Sequence, residues 1–401
     1  MPWPDLASAA IWPKPAIDLA RHNGEVEQVW QAFHAGRPIR VPTILGSTPR
    51  VLLLDPHYNR DGTTFRDYFD DPRVMFGWQV LHADWARSCL LQDMPMGPPA
   101  EGWDIEVDFQ NVRDAAWFGN EIVYLDGEVP DTAPCIRDED KQAFLDREPP
   151  GPWDGIMGRY LEYYEHFLEL AKGFEFNGAR IGRVRLPPGT SFDGPFTTAC
   201  KLRGPGEFCL DLLLDEAFAH ALLERITEAT IRRVKAWRER LPLEPHNFHL
   251  ADDLIQLLSE DNFVRYVLPY HRRIYAELVQ PSTERTMHLC GDHARFFPIL
   301  HDELGVTSFD TGFPVDFGRA RSELGPDVLI KGGPASHLLL AGPPAEVEAE
   351  VRRVLESGVT AGGRFILREG NDVAPGTPLQ NTRALYEAGR RYGVYPRETG
   401  G

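Results

Sequence analysis

The stretch 286–309, TMHLCGDHARFFPILHDELGVTSF, decides the fold. It holds two short β-prone segments, Thr286–Leu289 and Val306–Phe309, and a longer connecting segment lies between them. Two further segments of the same kind follow at Val328–Ile330 and Phe365–Leu367. Strands this short, buried on both faces, are typical of parallel sheets. The stretch therefore predicts a parallel β-sheet.

Amphipathic helices flank these segments. Residues Asp215 to Glu239 predict one long helix. Ser259 is placed to cap another helix. The apolar residues of that helix recur at helical spacing: Phe263, Val267, Tyr270, Ile274 and Leu278. Repeated units of strand, loop and helix indicate an α/β fold.

The last helix has clear start and stop signals. Thr377 is its predicted N-cap and Pro378 its first residue, with Gln380 as the return partner of a capping box. Gly393 is placed to end it, because glycine readily adopts the backbone conformation that follows a helix. These signals predict a helix that starts at Pro378 and stops before Gly393.

The net charge of the chain limits the classes of partner that we expect it to bind. With 60 acidic and 42 basic residues, the 401-residue chain has a formal net charge of −18. This balance argues against binding nucleic acid through its phosphates and against docking on anionic lipid. No apolar run approaches the ~18 residues that span a bilayer. We therefore expect a small-molecule substrate or a protein partner, with no nucleic acid and no membrane.

Two features predict a cytoplasmic protein. The N-terminus, MPWPDLASAAIWPKP, has no basic segment followed by an apolar one and so lacks the pattern of a secretory signal. The cysteines are odd in number and thinly spread, unlike those of a disulfide scaffold. They are Cys89, Cys135, Cys200, Cys209 and Cys290. We expect reduced thiols.

The composition and the sequence pattern of the chain change near residue 150. Residues 1–150 are irregular and rich in aromatic residues and prolines, and the segment Asp146–Asp154 (DREPPGPWD) is the most loop-like. We expect residues 1–150 to form an N-terminal elaboration that is packed on the main part of the fold, residues 151–401.

The segment His288–His293, HLCGDH, is the sharpest local motif. Residues two apart on a strand share a face, so His288 and Cys290 are expected to project the same way. An imidazole and a thiolate so placed suit a borderline-soft metal such as zinc. The alternative is a buried histidine bonded to the backbone beside an inert cysteine.

The motif also belongs to a wider resemblance. HLCGDH, ILHDELGVTSFDTGFPVDFGRARSELGPDVLIKGGP and RFILREGNDVAPGTPLQNTRALYEAGRRYGVY resemble the C-terminal half of the uroporphyrinogen decarboxylase superfamily. The resemblance covers residues 179–396 and includes DGPFTTACKLRG. It implies a TIM-like (β/α)8 barrel with an elaborated N-terminal region. The superfamily also includes zinc-dependent, corrinoid-linked methyltransferases.

The methyltransferase branch implies a zinc site. In that branch the His and Cys of the H-x-C motif and a later Cys bind zinc, which activates a substrate thiol. His288 and Cys290 match the first two positions, whereas Asn371 stands at the third, where an amide is a poor substitute for a thiolate. Either no zinc binds or a carboxylate completes the site, such as Glu369, Asp372 or Asp252. The methyl group would come from a corrinoid on a partner protein or from another methyl donor.

The alternative is a decarboxylase of uroporphyrinogen or a related carboxylated substrate, in which Asp252 or Asp253 stabilises a protonated intermediate. The members of that branch resemble one another in an Arg-containing segment near the first strand and in a His at the position of Asn371. The corresponding stretch, RPIRVPTILGSTPR, lacks that pattern but contains Arg37, Arg40 and Arg50. A second alternative is a non-catalytic binding barrel in a corrinoid or one-carbon assembly.

The candidate catalytic residues are Asp252, Asp253 and Asn371. The two aspartates follow a β-like segment and precede a helix, so they face the barrel mouth or cap that helix. The resemblance, which places an acidic pair at this strand end, favours the functional interpretation. Of His246 and His249, which would face opposite sides of a strand, we expect at most one in the site.

The candidate substrate-binding residues are Asp193, Gly332 and Gly333. Asp193 begins a D-G-P turn whose backbone is able to approach a ligand, although such turns are often only structural. The two glycines follow a predicted strand and permit close approach of the backbone.

Overall fold

The computed structural model describes residues 12–241, 243, 249–280 and 283–396. Its helices are α1 (Leu19–His34), α2 (Arg50–Leu53), α3 (Phe65–Asp70), α4 (Pro72–Cys89), α5 (Arg113–Phe118), α6 (Lys141–Asp146), α7 (Ile156–Leu170), α8 (Pro195–Arg203), α9 (Pro205–Leu214), α10 (Glu216–Arg240), α11 (Glu260–Tyr266), α12 (Leu268–Leu278), α13 (Phe297–Leu304), α14 (Phe317–Leu324), α15 (Ser336–Ala341), α16 (Pro344–Glu356) and α17 (Leu379–Tyr392). Its strands are β1 (Trp103–Glu106), β2 (Glu121–Val123), β3 (Asp131–Ala133), β4 (Glu175–Phe176), β5 (Ala179–Arg185), β6 (Ser191–Asp193), β7 (His249–Ala251), β8 (Thr286–Leu289), β9 (Ser308–Thr311), β10 (Leu329–Gly332) and β11 (Phe365–Leu367).

Within the described residues, β6 to β11 form one six-stranded sheet in which neighbours along the chain are neighbours in space. All of these pairs are parallel, and His288 of β8 lies opposite Asp310 of β9. Parallel strands need a crossover, and the helices between them supply it. The carboxyl ends of the strands therefore meet at one edge of the sheet.

The sheet continues beyond β11 through a parallel bridge between Leu367 and Thr43. The amide of Ile44 donates to the carbonyl of Leu367 at 2.9 Å, and the amide of Leu367 donates to the carbonyl of Pro42 at the same distance. In the first half of the chain, β1 pairs in parallel with β5. The α/β fold with a parallel sheet is thus confirmed, and closure of the sheet into a TIM-like barrel stays a prediction.

Two helices near the end of the described chain each bury an apolar face whose residues recur at helical spacing. On α16 the residues Val347, Val351 and Val354 are completely buried, and on α17 Leu385 and Ala388 are buried. The two helices pack against each other. At about 25 cal/mol per Å² of apolar surface removed from water, such faces supply most of the stabilisation of a surface helix.

Most predicted elements are present, with shifts of one or two residues. Strands β8 and β11 have the predicted bounds, whereas β9 and β10 begin later than Val306 and Val328. The long helix α10 begins at Glu216, and the side chain of Asp215 accepts a hydrogen bond from the amide of Phe218 as its N-cap. Ser259 caps α11 as predicted, by accepting from the amide of Asn262.

The single helix predicted from the Ser259 cap to Leu278 is divided in two. Helix α11 ends at Tyr266, and α12 begins at Leu268 with Pro269 in its first turn. Proline has no amide hydrogen and clashes with the preceding turn, so the helix cannot continue through it. The periodicity identified the buried face correctly, but the proline splits the helix.

The predicted start of the last helix is wrong. Helix α17 begins at Leu379 with Pro378 as its N-cap, and no side chain caps it. The backbone of Pro378 is extended (ψ 129°) and the amide of Thr377 donates to the carbonyl of Ala374 in a turn. Thr377 therefore belongs to that turn and forms no capping box with Gln380. Gly393 ends the helix, as predicted.

One hydrophobic cluster runs through both halves of the described chain. It includes Trp103 from β1 and Trp237 from α10, both completely buried. The expected division near residue 150 stays a prediction. All five cysteines are free thiols. Within the described ranges, no helix combines the length and the apolar character needed to cross a bilayer.

Candidate active site

A cavity of about 980 Å³ opens at the edge where the carboxyl ends of the parallel strands meet. This is the edge at which β/α folds build their sites, because the loops that follow the strands converge there. The strands β6 to β9 and the segments that follow β7, β8 and β11 contribute its polar residues, which include Asp193, His249, Asp253, His288, Cys290, Asp310, Arg368, Asn371 and Asp372.

Three potential metal ligands lie together in this cavity. Nε2 of His288 is 2.8 Å from Sγ of Cys290, so the two side chains share a face, as the strand periodicity predicts. Asp253 begins the short 3-10 turn after β7, and its Oδ1 accepts from the amide of Cys290 at 2.7 Å. The ligand atoms of Asp253, His288 and Cys290 all lie within 4.8 Å of one another. We call these three residues the metal trio.

Two residues outside the trio orient His288. Its Nδ1 lies 3.0 Å from Oδ2 of Asp310 on the neighbouring strand. Arg368 directly follows β11, and its Nη1 donates to both carboxylate oxygens of Asp310 at 2.9 Å. With Nδ1 held by Asp310, the imidazole presents Nε2 to Cys290. Metal-binding histidines commonly make such a bond through their second nitrogen.

The charges of this chain of contacts reinforce one another. Burial lowers the pKa of His288, but its bonds to Asp310 and Cys290 outweigh burial and hold that pKa well above its usual value. Burial likewise opposes ionisation of Asp310, yet His288 and Arg368 keep the pKa of Asp310 below its ordinary value. Asp310 is therefore a carboxylate that accepts from both neighbours.

The donor set of the metal trio fits a divalent metal of intermediate softness. Imidazole nitrogen, thiolate sulfur and carboxylate oxygen are the three ligand types that zinc takes in proteins. Burial raises the pKa of Asp253, and within the described chain its carboxylate forms no ion pair with lysine or arginine. A cation between the three donors would stabilise the charged forms of Asp253 and Cys290.

The chain matches the family model "Uroporphyrinogen decarboxylase (URO-D)" over residues 118–392. It belongs to the URO-D family. The matched region contains the whole six-stranded sheet and every member of the metal trio.

Relatives within the URO-D family have different activities in their names. Methylcobamide:CoM methyltransferase MtbA of Methanosarcina mazei is 24% identical over 240 residues, which are 56% of this chain and 68% of that relative. Uroporphyrinogen decarboxylase of Anaeromyxobacter sp. is 26% identical over 211 residues, which are 51% of this chain and 59% of that relative. The names of these relatives therefore do not distinguish the methyltransferase branch from the decarboxylase branch.

A solved structure supports the fold. A methyltransferase from Methanosarcina mazei superposes with a TM-score of 0.61, covering 92% of this chain and 98% of that chain. Its sequence identity is 18%, so this likeness speaks for the fold alone.

The two adjacent aspartates of this URO-D family member occupy different environments. Asp253 lines the cavity, whereas the side chain of Asp252 is fully buried outside it. The carboxylate of Asp252 accepts from the amide of Thr197 at 2.7 Å and from that of Phe196 at 3.4 Å. It also lies 2.8 Å from Nε2 of His271. Asp252 thus binds the first turn of α8 and does not cap the 3-10 turn that follows Asp252 in the chain.

The two candidate glycines also lie outside the cavity lining. A side chain at Gly332 would place its Cβ 2.3 Å from Oγ1 of Thr311, and one at Gly333 would lie 2.3 Å from the carbonyl oxygen of Arg368. Glycine is required at both positions because neighbouring strands and loops approach closely. In contrast, Asp193 and Asn371 line the cavity.

The carboxylates expected to complete a zinc site have other partners. Glu369 is fully buried, and its Oε1 accepts from the amide of Gly46 at 3.0 Å and from Arg368 at 2.8 Å. Asp372 lines the cavity but pairs with Arg50 at 3.1 Å. The carboxylate that lies beside His288 and Cys290 is instead that of Asp253.

Other residues named from the sequence are divided between the site and the fold. His249 lines the cavity, and His246 lies outside the described residues. Arg50 lines the cavity, whereas Arg40 is buried against Asp93 and Arg37 is exposed.

Sequence reasoning missed Asp310 and Arg368. Both stand directly after a predicted β-prone segment, Val306–Phe309 or Phe365–Leu367. Polar residues at the carboxyl ends of parallel strands converge on one site. That rule, applied to each predicted strand in turn, identifies them.

Proposed function

We propose that this protein is a metal-dependent methyltransferase of the URO-D family, built on a TIM-like barrel. In this proposal it moves a methyl group from a corrinoid on a partner protein to a small-molecule acceptor with a thiol or hydroxyl group. The observation that carries the proposal is the metal trio at the carboxyl edge of the sheet. The similarity to the methylcobamide:CoM methyltransferase of Methanosarcina mazei supports it.

The residues have distinct roles in this proposal. His288, Cys290 and Asp253 would hold zinc, which when bound supplies a Lewis acid that lowers the pKa of the acceptor. Asp310 keeps Nδ1 of His288 occupied and so directs Nε2 into the cavity, while Arg368 holds Asp310 in place. Both are positioning residues.

The substrate would lie between the trio and the opposite wall of the cavity. Asp193 and Asn371 line that cavity and offer a carboxylate and an amide to it. For a thiol acceptor, a methylated corrinoid on the partner would supply the methyl group: the acceptor sulfur would form the new bond to the methyl carbon, and the electron pair of the bond that breaks would stay with the corrinoid. The proton of the thiol leaves to solvent.

The alternative, decarboxylation of uroporphyrinogen or a related acid, is favoured by relatives that carry that name, with Asp253 as the residue that stabilises a protonated intermediate. A donor set of nitrogen, sulfur and oxygen is unnecessary for that reaction. The metal trio is thus the feature that separates the two proposals.

The experiment is a metal analysis of protein purified without added zinc. We expect about one metal ion per chain in the unmodified protein and loss of that metal in Cys290→Ser and Asp253→Asn. Cys209→Ser, which changes a half-buried thiol outside the cavity lining, is the matched control and keeps the metal. Unmodified protein without stoichiometric metal refutes the proposal and leaves the decarboxylase and the non-catalytic barrel to be tested.

A further inference from the structure

We infer that the small-molecule acceptor bound in this cavity carries no net negative charge, so that it is a neutral or cationic thiol. The inference rests on the proposed function and names the substrate class of the same site. Its basis is that each positive group facing the cavity already holds a carboxylate of the protein.

Two arginines and one lysine line the cavity within the described part of the chain, and all three are paired. Arg50 lies 3.1 Å from Asp372. Lys201 lies 2.9 Å from Asp193. Arg368 donates to both oxygens of Asp310 and also to Glu369. An acidic substrate would have to displace one of these carboxylates or lie beside it.

The N-terminus of the helix beside the cavity also binds a carboxylate of the protein. Helix α8 begins at Pro195 beside the cavity, and Thr197 from its first turn lines it. The first amides of a helix attract anions. Here the amides of Phe196 and Thr197 donate to the buried carboxylate of Asp252. That anion-binding position is therefore filled from within the protein.

Carboxylates outnumber cations along the described cavity wall. Six carboxylates line it, against two arginines and one lysine. Those without a lysine or arginine partner in the described chain are Glu128, Asp131 and Asp253. Zinc would add two positive charges, but the carboxylate of Asp253 and the thiolate of Cys290 offset them. Lys331 on β10 contributes positive potential at Asp310 but does not line the cavity.

The energetic consequence depends on the charge of the substrate. An acceptor with a sulfonate or carboxylate group meets like charge that no free lysine or arginine of the lining compensates, and juxtaposed like charges weaken binding. A neutral thiol avoids that cost. A thiol with an ammonium group is attracted to the carboxylates at the rim.

The test compares thiols of one chain length on zinc-loaded protein. The three probes are 2-mercaptoethanesulfonate, 2-mercaptoethanol and thiocholine, whose quaternary ammonium cannot bind metal. Dissociation constants are measured by calorimetry, and the metal content is measured after each titration. We expect the neutral and cationic thiols to bind at least about 10-fold more tightly than the sulfonate. Equal or tighter binding of the sulfonate overturns this inference alone, and binding of none overturns the proposed function with it.

A variant tests the physical cause. Asp372→Asn removes the partner of Arg50 and the longer contact of Asp372 with Arg368 at 3.4 Å, and it leaves Arg368 bound to Asp310 and Glu369 and the three residues of the metal trio unsubstituted. We expect it to reduce discrimination against the sulfonate by about 10-fold, because Arg50 becomes free to pair with the ligand. Asp302→Asn, at an exposed position on α13, is the matched control and leaves the discrimination unchanged. Unchanged discrimination in Asp372→Asn overturns the argument from paired cations.

Discussion

Nδ1 of His288 lies 3.0 Å from Oδ2 of Asp310, directly across the β8–β9 pair. Arg368 donates to both oxygens of the same carboxylate from the end of β11. Three strands thus hold one imidazole. Because its orientation is set by the sheet, the metal trio is preorganised before any ligand enters, which reduces the cost of binding.

The first prediction concerns Asp310→Asn. The amide keeps the volume but loses the charge that holds the imidazole, so we expect zinc affinity to fall by about 10- to 100-fold. Competition with a chromophoric chelator measures that affinity. Asp302→Asn on α13 is the exposed control. Unchanged zinc affinity in a folded Asp310→Asn protein would show that the contact is only structural.

The sequence predicts the parallel sheet and the H-x-C pair because both depend on local patterns. It does not predict the contact between His288 and Asp310, because that contact depends on how β8 and β9 align. A shift of one residue in that register would turn the alternate side chains away from each other. Strand ends indicate which residues are near the site, and only the register shows which of them touch.

The pair Asp252 and Asp253 shows a second limit. Neighbouring residues at a strand end point in different directions, and the sequence alone does not say which one faces the cavity. The answer depends on α8, because the amides of Phe196 and Thr197 bind the carboxylate of Asp252. That contact crosses more than fifty residues of chain and leaves no local signal.

The second prediction follows from this difference. Asp252→Asn removes a charge that is fully buried beside His271, so we expect the free energy of unfolding to fall by about 3 kcal/mol. Zinc binding by the folded protein remains, since Asp252 is outside the metal trio. Denaturant titration gives the stability. Asp253→Asn is the comparison, and we expect it to lose zinc binding while its stability is retained. Loss of metal at unchanged stability in Asp252→Asn would contradict the assignment.

The third prediction concerns the position at which the resembling methyltransferases have a third cysteine. Asn371 lines the same cavity as the metal trio. We expect Asn371→Cys to raise zinc affinity at least about 10-fold, equivalent to ~1.4 kcal/mol, because a thiolate is a far better zinc ligand than an amide. Asn371→Ser is the matched control without a soft ligand. Stronger sulfur-to-metal absorption after cobalt substitution identifies the new ligand, and its absence would place Asn371 out of reach of the metal.

The last prediction concerns the buried carboxyl of Glu369. Burial outweighs its bond to Arg368 and raises its pKa from an ordinary 4.5 to about 8. Its Oε2 has no hydrogen-bond partner in the described chain, which leaves the charged form poorly compensated.

Between those two pKa values the folded protein holds a proton that the unfolded chain has lost. The contribution of Glu369 to stability is therefore fully present below pH 4.5 and is lost as the pH rises through about 8. The slope is at most about 1.4 kcal/mol per pH unit. Glu369→Gln cannot titrate, so we expect the variant to gain stability relative to the unmodified protein between pH 5 and about 8. Denaturant unfolding of both proteins across that range gives the difference, and two parallel curves would mean that Glu369 is ionised throughout.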